Sequence, residues 1–480
     1  MNPYRFENQN REIVLSRYNM PTPWMNYLSN GTLHAMISQA GGGVAWYKSP
    51  QIWRINHYRF FHLPTDRSGF YTYIKDGDSV WCPTNEPCAC KPEKWEAAHG
   101  MGYTRFTAER DGLHAEATYL VSPLKNVMLW HLELRSDRDR NVTIYPYVEL
   151  GMMEFMRELQ WQCYNKHQLS VYEKDGVLIY RYGVENQPKP DETPLVYFAS
   201  DVPAAGFDCD RDEFVGSYRS EEAPIGLEHE HLKNSTLFGG DPCFALELPL
   251  TLRAGETKSV NIYLGTEMTE DEAVIAMVDS NLQRESILPS ERAFAYSMRL
   301  DAMRRQGERT DLTCAQNAHK LKGRKSRDVL AEELGVSKDK VRRYIRLTHL
   351  VPGILDLVDE GRMRMLPAVE VSYLSRREQE TLLDAMRENA CTPSHSQALK
   401  MKRFSQEGEL GEALIRSIME EEKPNQVESF RIPKRSIARF FRPSASREEV
   451  EARVVRALEL LEQAERKRAA WGKGGNPWAM

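Results

Sequence analysis

The chain has 480 residues, 64 Lys and Arg against 69 Asp and Glu, and eight Cys. Those cysteines are too few for a disulfide scaffold. No apolar run approaches the roughly 18 residues of a membrane span, and the opening MNPYRFENQNREIVL lacks the basic-then-apolar plan of a secretory signal, so a soluble, cytoplasmic, membrane-free protein is expected. The near balance of charge conceals an asymmetry: residues 281–480 hold 38 basic and 30 acidic side chains, net +8, leaving 26 against 39, net −13, for residues 1–280. Halves of opposite sign suggest two kinds of partner.

From the N-terminus, Pro21-Thr22-Pro23 sets an extended entry to Trp24, Tyr27 and Leu28, and Gly41-Gly42-Gly43 reads as a tight turn into a strand carrying Trp46. Short segments rich in aromatic and β-branched residues follow, among them WRINHYRFFHLP, GFYTYIKD and VMLWHLELRS. Turn signals such as KDGD and ERDG separate them, which predicts an antiparallel all-β domain with a hairpin at Glu109-Arg110-Asp111-Gly112. The pattern resumes from 165 and closes on the strand, RAGE turn and strand of CFALELPLTLRAGETKSVNIYLG. Residues 1–267 are therefore expected to form a large β-sandwich.

Flat aromatic surfaces beside orienting polar groups make Trp46, Trp53, Tyr58, Arg59, Asp66 and Arg67 the candidate sugar-facing residues, although WRINHYRF reads more simply as a buried strand and PTDRSG as its turn. Asp208, Asp210, Arg211 and Asp212 lack the spacing of a calcium loop and read as a solvated charged turn. Cys82, Cys88, Cys90 and His99 match no zinc pattern, so neither metal nor cofactor is expected.

The blocks YRFENQNREIVL, PTPWMNYLSN, GGGVAWYKSPQIWRINHYRF, PTDRSGFYTYIKD, HGMGYTRFTAERDGLHAEATY and AAGFDCDRDEFVGSYR resemble the N-terminal domain of the cellobiose and chitobiose phosphorylases, glycoside hydrolase family 94, over residues 4–266. The resemblance implies a β-supersandwich of carbohydrate-binding type. In that family the acid catalyst belongs to a helical barrel that follows. The 215 residues after Gly265 do not resemble that barrel, and a carboxylate serves catalysis only where a pocket holds it, so no catalytic residue and no enzyme activity are expected.

Beyond Gly265 the period changes. Ala273, Val274, Met277 and Val278 recur at helical spacing, and a second helix is predicted through Phe294, Met298 and Ala302, giving a linker over residues 268–306. Residues 307–323 read as a loop. DVLAEELG and VSKDKVRRYIRL then form two helices about a Gly335 turn, with Ser337 as the second N-cap, the form of a helix-turn-helix. Residues 320–349 carry ten basic and four acidic side chains, net +6. Lys338, Asp339 and Arg342 are the expected base readers, and Arg324, Lys325, Arg327, Arg343 and Arg346 the phosphate contacts; the alternative is a helical hairpin with a solvated basic face. The domain is expected over residues 320–425, a C-terminal helical segment over 426–466 and a disordered tail over 467–480. In that segment Val450, Val454, Ala457, Leu458 and Leu461 form a stripe that could pair two chains or pack back within one.

The blocks VDSNLQRESILPSERAFAY, KSRDVLAEELGVSKDKVRRYIRLTHLVPGILDLVDEGRM and TPSHSQALKMKRFSQEG resemble transposon-type ParB-like partition proteins over residues 268–466. That resemblance implies duplex-DNA binding by an all-α region, without most of the CTP-binding domain. The expected whole is an all-β supersandwich followed by an all-α, ParB-like helix-turn-helix region, a DNA-binding protein with a non-catalytic, oligosaccharide-binding sandwich. The alternatives are a truncated family 94 phosphorylase or glycosyltransferase-like protein acting on β-glucosides, or a fusion without function.

Overall fold

The computed structural model describes residues 2–57, 68–183, 193–282, 288–309, 326–389, 391–421, 440–442 and 447–471. They fall into two compact units, Met1–Leu410 and Gly411–Met480.

In the first unit, two antiparallel sheets enclose the main core. The larger has eleven described strands, with Leu113–Val121, Val127–Ser136, Thr257–Glu267 and Leu195–Ser200 as successive neighbours at its centre. The smaller runs Gly206–Asp210, Pro242–Leu252, Arg140–Glu149, Tyr71–Asp76, Ser79–Trp81. A third sheet of three strands ends on Gly43–Tyr47. Leu113–Val121 alternates buried and half-buried residues along its whole length, as a strand with one face on a core must. Its hairpin closes Arg110 on Leu113, with Asp111 and Gly112 at φ 49° and 71°. Positive φ at both turn residues matches the twist of the strands. The core centres on Trp130, 2% exposed, with Phe70, Tyr119 and Phe198 at ring distances of 5.7, 5.6 and 5.3 Å.

The glycine run works through close approach. Gly42 bridges Gly69, and the Phe70 N–H donates to the Gly41 carbonyl at 3.0 Å. A methyl group on Gly69 would overlap the backbone of Gly41 and Gly42. Gly69→Ala is therefore expected to cost about 1–3 kcal/mol of unfolding free energy, measured by urea denaturation; a loss below about 0.5 kcal/mol would show that the two backbones separate freely.

Helix α1, Phe155–Asn165, and the single turn α2, Arg211–Phe214, lie within the sandwich region. Helix α3, Glu270–Leu282, buries Ala273, Val274, Met277 and Val278 in one cluster with Val177, Ile179, Leu195 and Tyr263, so the seam is cemented to the sheet by apolar packing. At the start of α3, Glu270 accepts from Tyr172 Oη at 2.7 Å and Arg181 Nη2 at 3.1 Å and pairs with Lys174. Burial opposes its charge, but these partners prevail and hold its carboxyl down to about 2.

Helix α4, Pro289–Arg309, continues beyond the expected boundary at residue 306, and residues 310–323 of the expected loop lie outside the described residues. Helices α5, Ser326–Glu333, and α6, Lys338–Leu347, follow. Gly335 between them has φ 62°, and Ser337 Oγ accepts from the Lys340 N–H at 3.2 Å. Helices α7, Pro352–Asp359, α8, Met365–Val371, α9, Arg376–Glu388, and α10, His395–Glu407, complete the unit.

The expected all-α, ParB-like helix-turn-helix region after the sandwich is corrected here to an α-helical region that follows the β-sandwich within the same compact unit. Helix α4 ties the two together. Arg299 pairs with Asp279 of α3 and, at 2.9 Å, with Glu333 of α5, while Arg305 bonds Asp271 at 2.8 Å and Asp175 of the sandwich at 3.0 Å. Tyr296 meets Tyr344 of α6 edge to face at 5.6 Å.

The second unit contains α11, Glu412–Glu420, and α12, Arg447–Trp471. Leu458 and Leu461 of the expected stripe are 60% and 57% exposed. Among the described residues no helix is long and apolar enough to cross a membrane.

Candidate carbohydrate site

The strand Gly43–Tyr47 and the segment after it form one side of a charged cluster. Trp46 bridges Arg54, and the Ile55 N–H donates to the Ala45 carbonyl at 2.9 Å. Asn56, fully buried, accepts from the Ala45 N–H at 2.7 Å and donates to the Gly43 carbonyl at 2.9 Å, so its amide clamps the segment to the strand. The second side comes from the end of Arg140–Glu149 and the turn into α1. The His57 N–H donates to the Glu149 carbonyl and the Arg54 N–H to that of Met153, both at 2.9 Å. The Glu158 carboxylate of α1 folds back to accept the Met152 N–H at 2.7 Å.

At the centre, Glu158 pairs with both Arg54 and His57. Arg54 is 2% exposed and Glu158 8%; such a dry pair persists only because each charge meets another. Burial raises the Glu158 carboxyl, but the His57 hydrogen bond and the Arg54 charge outweigh it and bring the group below its ordinary range. Burial likewise opposes protonation of His57, yet Glu158 and the Glu149 charge raise it.

A second centre adjoins the first. Arg211, which opens α2, lies 3.4 Å from Glu149 and 2.9 Å from Glu221. The two carboxyls also share a hydrogen bond and move apart: burial pushes Glu149 up to about 7, whereas Glu221, favoured by Arg211 and a backbone hydrogen bond over its own burial, falls. The pair therefore carries a proton near neutral pH. Arg54 Nε and the buried Tyr147 hydroxyl have no hydrogen-bond partner among the described residues, which leaves polar capacity for water or a ligand hydroxyl.

Of the expected sugar-facing residues, Trp46 and Trp53 lie at this cluster, both half-buried. Trp46 stacks on His34 at 5.3 Å and an interplanar angle of 12°, and Trp53 rests against the core. Tyr58, Arg59, Asp66 and Arg67 lie outside the described residues.

The sequence reading missed Arg54, His57, Glu149, Glu158, Arg211 and Glu221. The one available signal was Arg54 and His57 inside the apolar run WRINHYRF. The solvated charged turn at 208–212 is also corrected: Asp208 is fully buried and accepts from the Ser235 N–H at 3.1 Å, Asp210 caps α2, and Arg211 serves the cluster. No three-residue metal cluster occurs among the described residues; Cys82 and Cys88 are thiols 3.3 Å apart.

Of the expected DNA-contacting residues, Lys338 and Arg342 have side chains 63% and 60% exposed. Lys338 pairs with Asp328 at 2.9 Å, and Arg342 stands 3.9 Å from Asp339 on its own helix. Arg346 donates to Ser372 Oγ at 3.1 Å and to the Ser372 carbonyl, and lies 3.9 Å over the Tyr373 ring. Arg343 is exposed, Arg327 half-buried, and Arg324 and Lys325 lie outside the described residues.

Comparison with known proteins decides between the two resemblances. The model of the glycosyl hydrolase 94 supersandwich domain matches residues 11–283, more than half of the chain. The chain belongs to the glycosyl hydrolase 94 family. Two N,N'-diacetylchitobiose phosphorylases are similar to it, that of Vibrio furnissii at 30% identity over 271 residues and that of Vibrio proteolyticus at 29% over 262. These alignments cover 54% and 52% of this chain and 33% and 32% of the phosphorylases, so the chain spans about a third of their length. The solabiose phosphorylase of Paenibacillus borealis is 26% identical over 258 residues, 52% of this chain and 33% of that protein.

These matches overturn the partition-protein identification. The family 94 model runs on to residue 283, through the seam and into the NLQ stretch assigned to the ParB-like proteins. The DNA-binding function, the duplex-DNA partner and the transposon and partition descriptions fall with it. The expectation of no enzyme is corrected as well, since the relatives matched over these residues are phosphorylases.

Proposed function

We propose that this chain is a carbohydrate-active protein of the phosphorylase class, binding a disaccharide or oligosaccharide on the surface formed by Trp46, Trp53 and His57. The observation that carries this reading is the position of the Arg54–Glu158–His57 and Glu149–Arg211–Glu221 cluster inside the segment matched by the family 94 model. Half-buried indoles offer flat faces to a pyranose ring, and hydroxyls find charged donors and acceptors beside them. Phosphorolysis joins a phosphate oxygen to the anomeric carbon and leaves a proton to be supplied to the departing sugar oxygen. Glu149, raised to about 7, is a carboxyl able to hold a proton beside this surface. A cytoplasmic setting belongs to the same reading, supported by the free thiols at Cys82, Cys88, Cys90, Cys209, Cys243 and Cys391.

The test is calorimetric titration of the whole chain with N,N'-diacetylchitobiose and cellobiose, followed by an assay for sugar 1-phosphate in the presence of inorganic phosphate. Saturable binding with product formation is expected. Trp53→Ala is expected to weaken binding about tenfold or more, as loss of a stacking platform does. Absence of both binding and sugar 1-phosphate would overturn the proposal.

A further inference from the structure

Away from the sugar surface, a cavity of about 600 Å³ opens where the sandwich meets α3 and α4. One wall is the turn between Leu169–Lys174 and Val177–Tyr182; the others are the connection after Leu195–Ser200, Leu246, and the facing sides of the two helices. Its volume falls in the range of small-molecule sites, which are mostly apolar with a few placed polar groups.

The apolar body is supplied by Phe207, Leu246, Met277, Phe294 and Met298. Phe294 is 47% exposed although it sits on a helix whose opposite face is buried, so a large aromatic ring is kept available at the mouth. The charge of the lining is one-sided. Glu173, Asp175, Asp201 and Glu291 contribute to it, and no Lys, Arg or His is among the described lining residues. Local structure holds these carboxylates in place: Glu173 accepts the Gly176 N–H at 2.7 Å, Glu291 accepts the Leu288 N–H at 3.0 Å, and Asp175 pairs with Arg305 at 3.0 Å. A carboxylate offers about four acceptor positions, so Glu173 and Glu291 can take a further donor without giving up these bonds.

We propose that this cavity binds a cationic amphiphile, a small molecule with an apolar body and one ammonium group. The body lies against Phe294, Met298 and Leu246, and the ammonium meets Glu173 in the field of the other lining carboxylates. An anionic ligand of the same shape is rejected, because the low-dielectric walls strengthen its repulsion from the same carboxylates.

Dansylcadaverine and dansylglycine share one environment-sensitive fluorophore and carry opposite charges, so they separate apolar from charge recognition. With the whole chain, dansylcadaverine is expected to saturate at one equivalent and to bind about tenfold more tightly than dansylglycine or better. Glu173→Gln and Glu291→Gln are each expected to weaken it several-fold, and Phe294→Arg to abolish it. Glu459→Gln, which makes the same change in net charge on the other compact unit, is expected to leave it unchanged. Equal binding of the two probes, insensitivity to Phe294→Arg, or an equal effect of Glu459→Gln and Glu173→Gln would each overturn the proposal. Circular dichroism monitors folding; if Phe294→Arg does not fold, the comparison of Glu173→Gln with Glu459→Gln decides.

Discussion

Arg54→Leu is expected to lower the unfolding free energy by about 3–5 kcal/mol and to abolish sugar binding. The guanidinium is 2% exposed and neutralises Glu158, itself 8% exposed. Without it the carboxylate keeps His57 and the Met152 N–H, but it stays buried with a charge that the His57 imidazole alone must balance. The stacking of Arg54 over the Phe155 ring at 4.9 Å is lost as well. Because the penalty comes from the partner left behind, Arg54→Leu combined with Glu158→Leu should cost less than Arg54→Leu alone. Urea unfolding of the two single variants and the double variant at pH 7 measures this. A single-variant loss under about 1 kcal/mol would mean that water reaches the pair and the cluster is not the dry site described.

The second large effect is on pH dependence. In the fold, Glu149 titrates near 7, above its ordinary 4.5. Between those values the folded state holds a proton that the unfolded state has released, so this group's contribution is greatest at or below about pH 4.5 and declines as pH rises to 7. His57, raised above 6.5, acts in the same direction: its stabilisation is complete below the unfolded pKa and is lost as pH rises through the folded one. Glu158, lowered from 4.5, opposes them only in acid, where its contribution is lost as pH falls through the folded value.

Stability should therefore be highest in mildly acidic solution and fall towards pH 8. Gln at 149 cannot ionise, so Glu149→Gln should gain on the wild type by roughly 1–3 kcal/mol between pH 5 and 7.5. Chemical denaturation of both proteins across that range supplies the comparison. A difference independent of pH would show that Glu149 does not carry the proton.

Much of the local structure can be read from residue patterns. Asp111-Gly112 fixes a two-residue turn, the alternation of Leu113–Val121 fixes its buried face, and the spacing of Ala273, Val274, Met277 and Val278 fixes the side of α3 that meets the sheet. Ser337 and Gly335 punctuate α5 and α6 where their chemistry requires. Each is decided by interactions within a few residues or by one apolar period.

The site was not legible in the same way. Arg54, His57, Glu149, Glu158, Arg211 and Glu221 come together only when the turn after Glu149, the start of α1, and α2 with the turn that follows it close on the strand edge at Gly43–Tyr47. Periodicity marks which positions are apolar and carries no record of which distant charges will meet.

The basic residues near 340 show the converse. Their summed charge, with Asp328 already subtracted, is a property of the chain; only the structure shows that Lys338 is met by Asp328, and Arg346 by Ser372 and Tyr373. The amino-acid order determined the strands, the helices and the kind of surface each presents. Only the tertiary structure decided which charges are buried against one another, because desolvation acts on pairs in space and is indifferent to their separation along the chain.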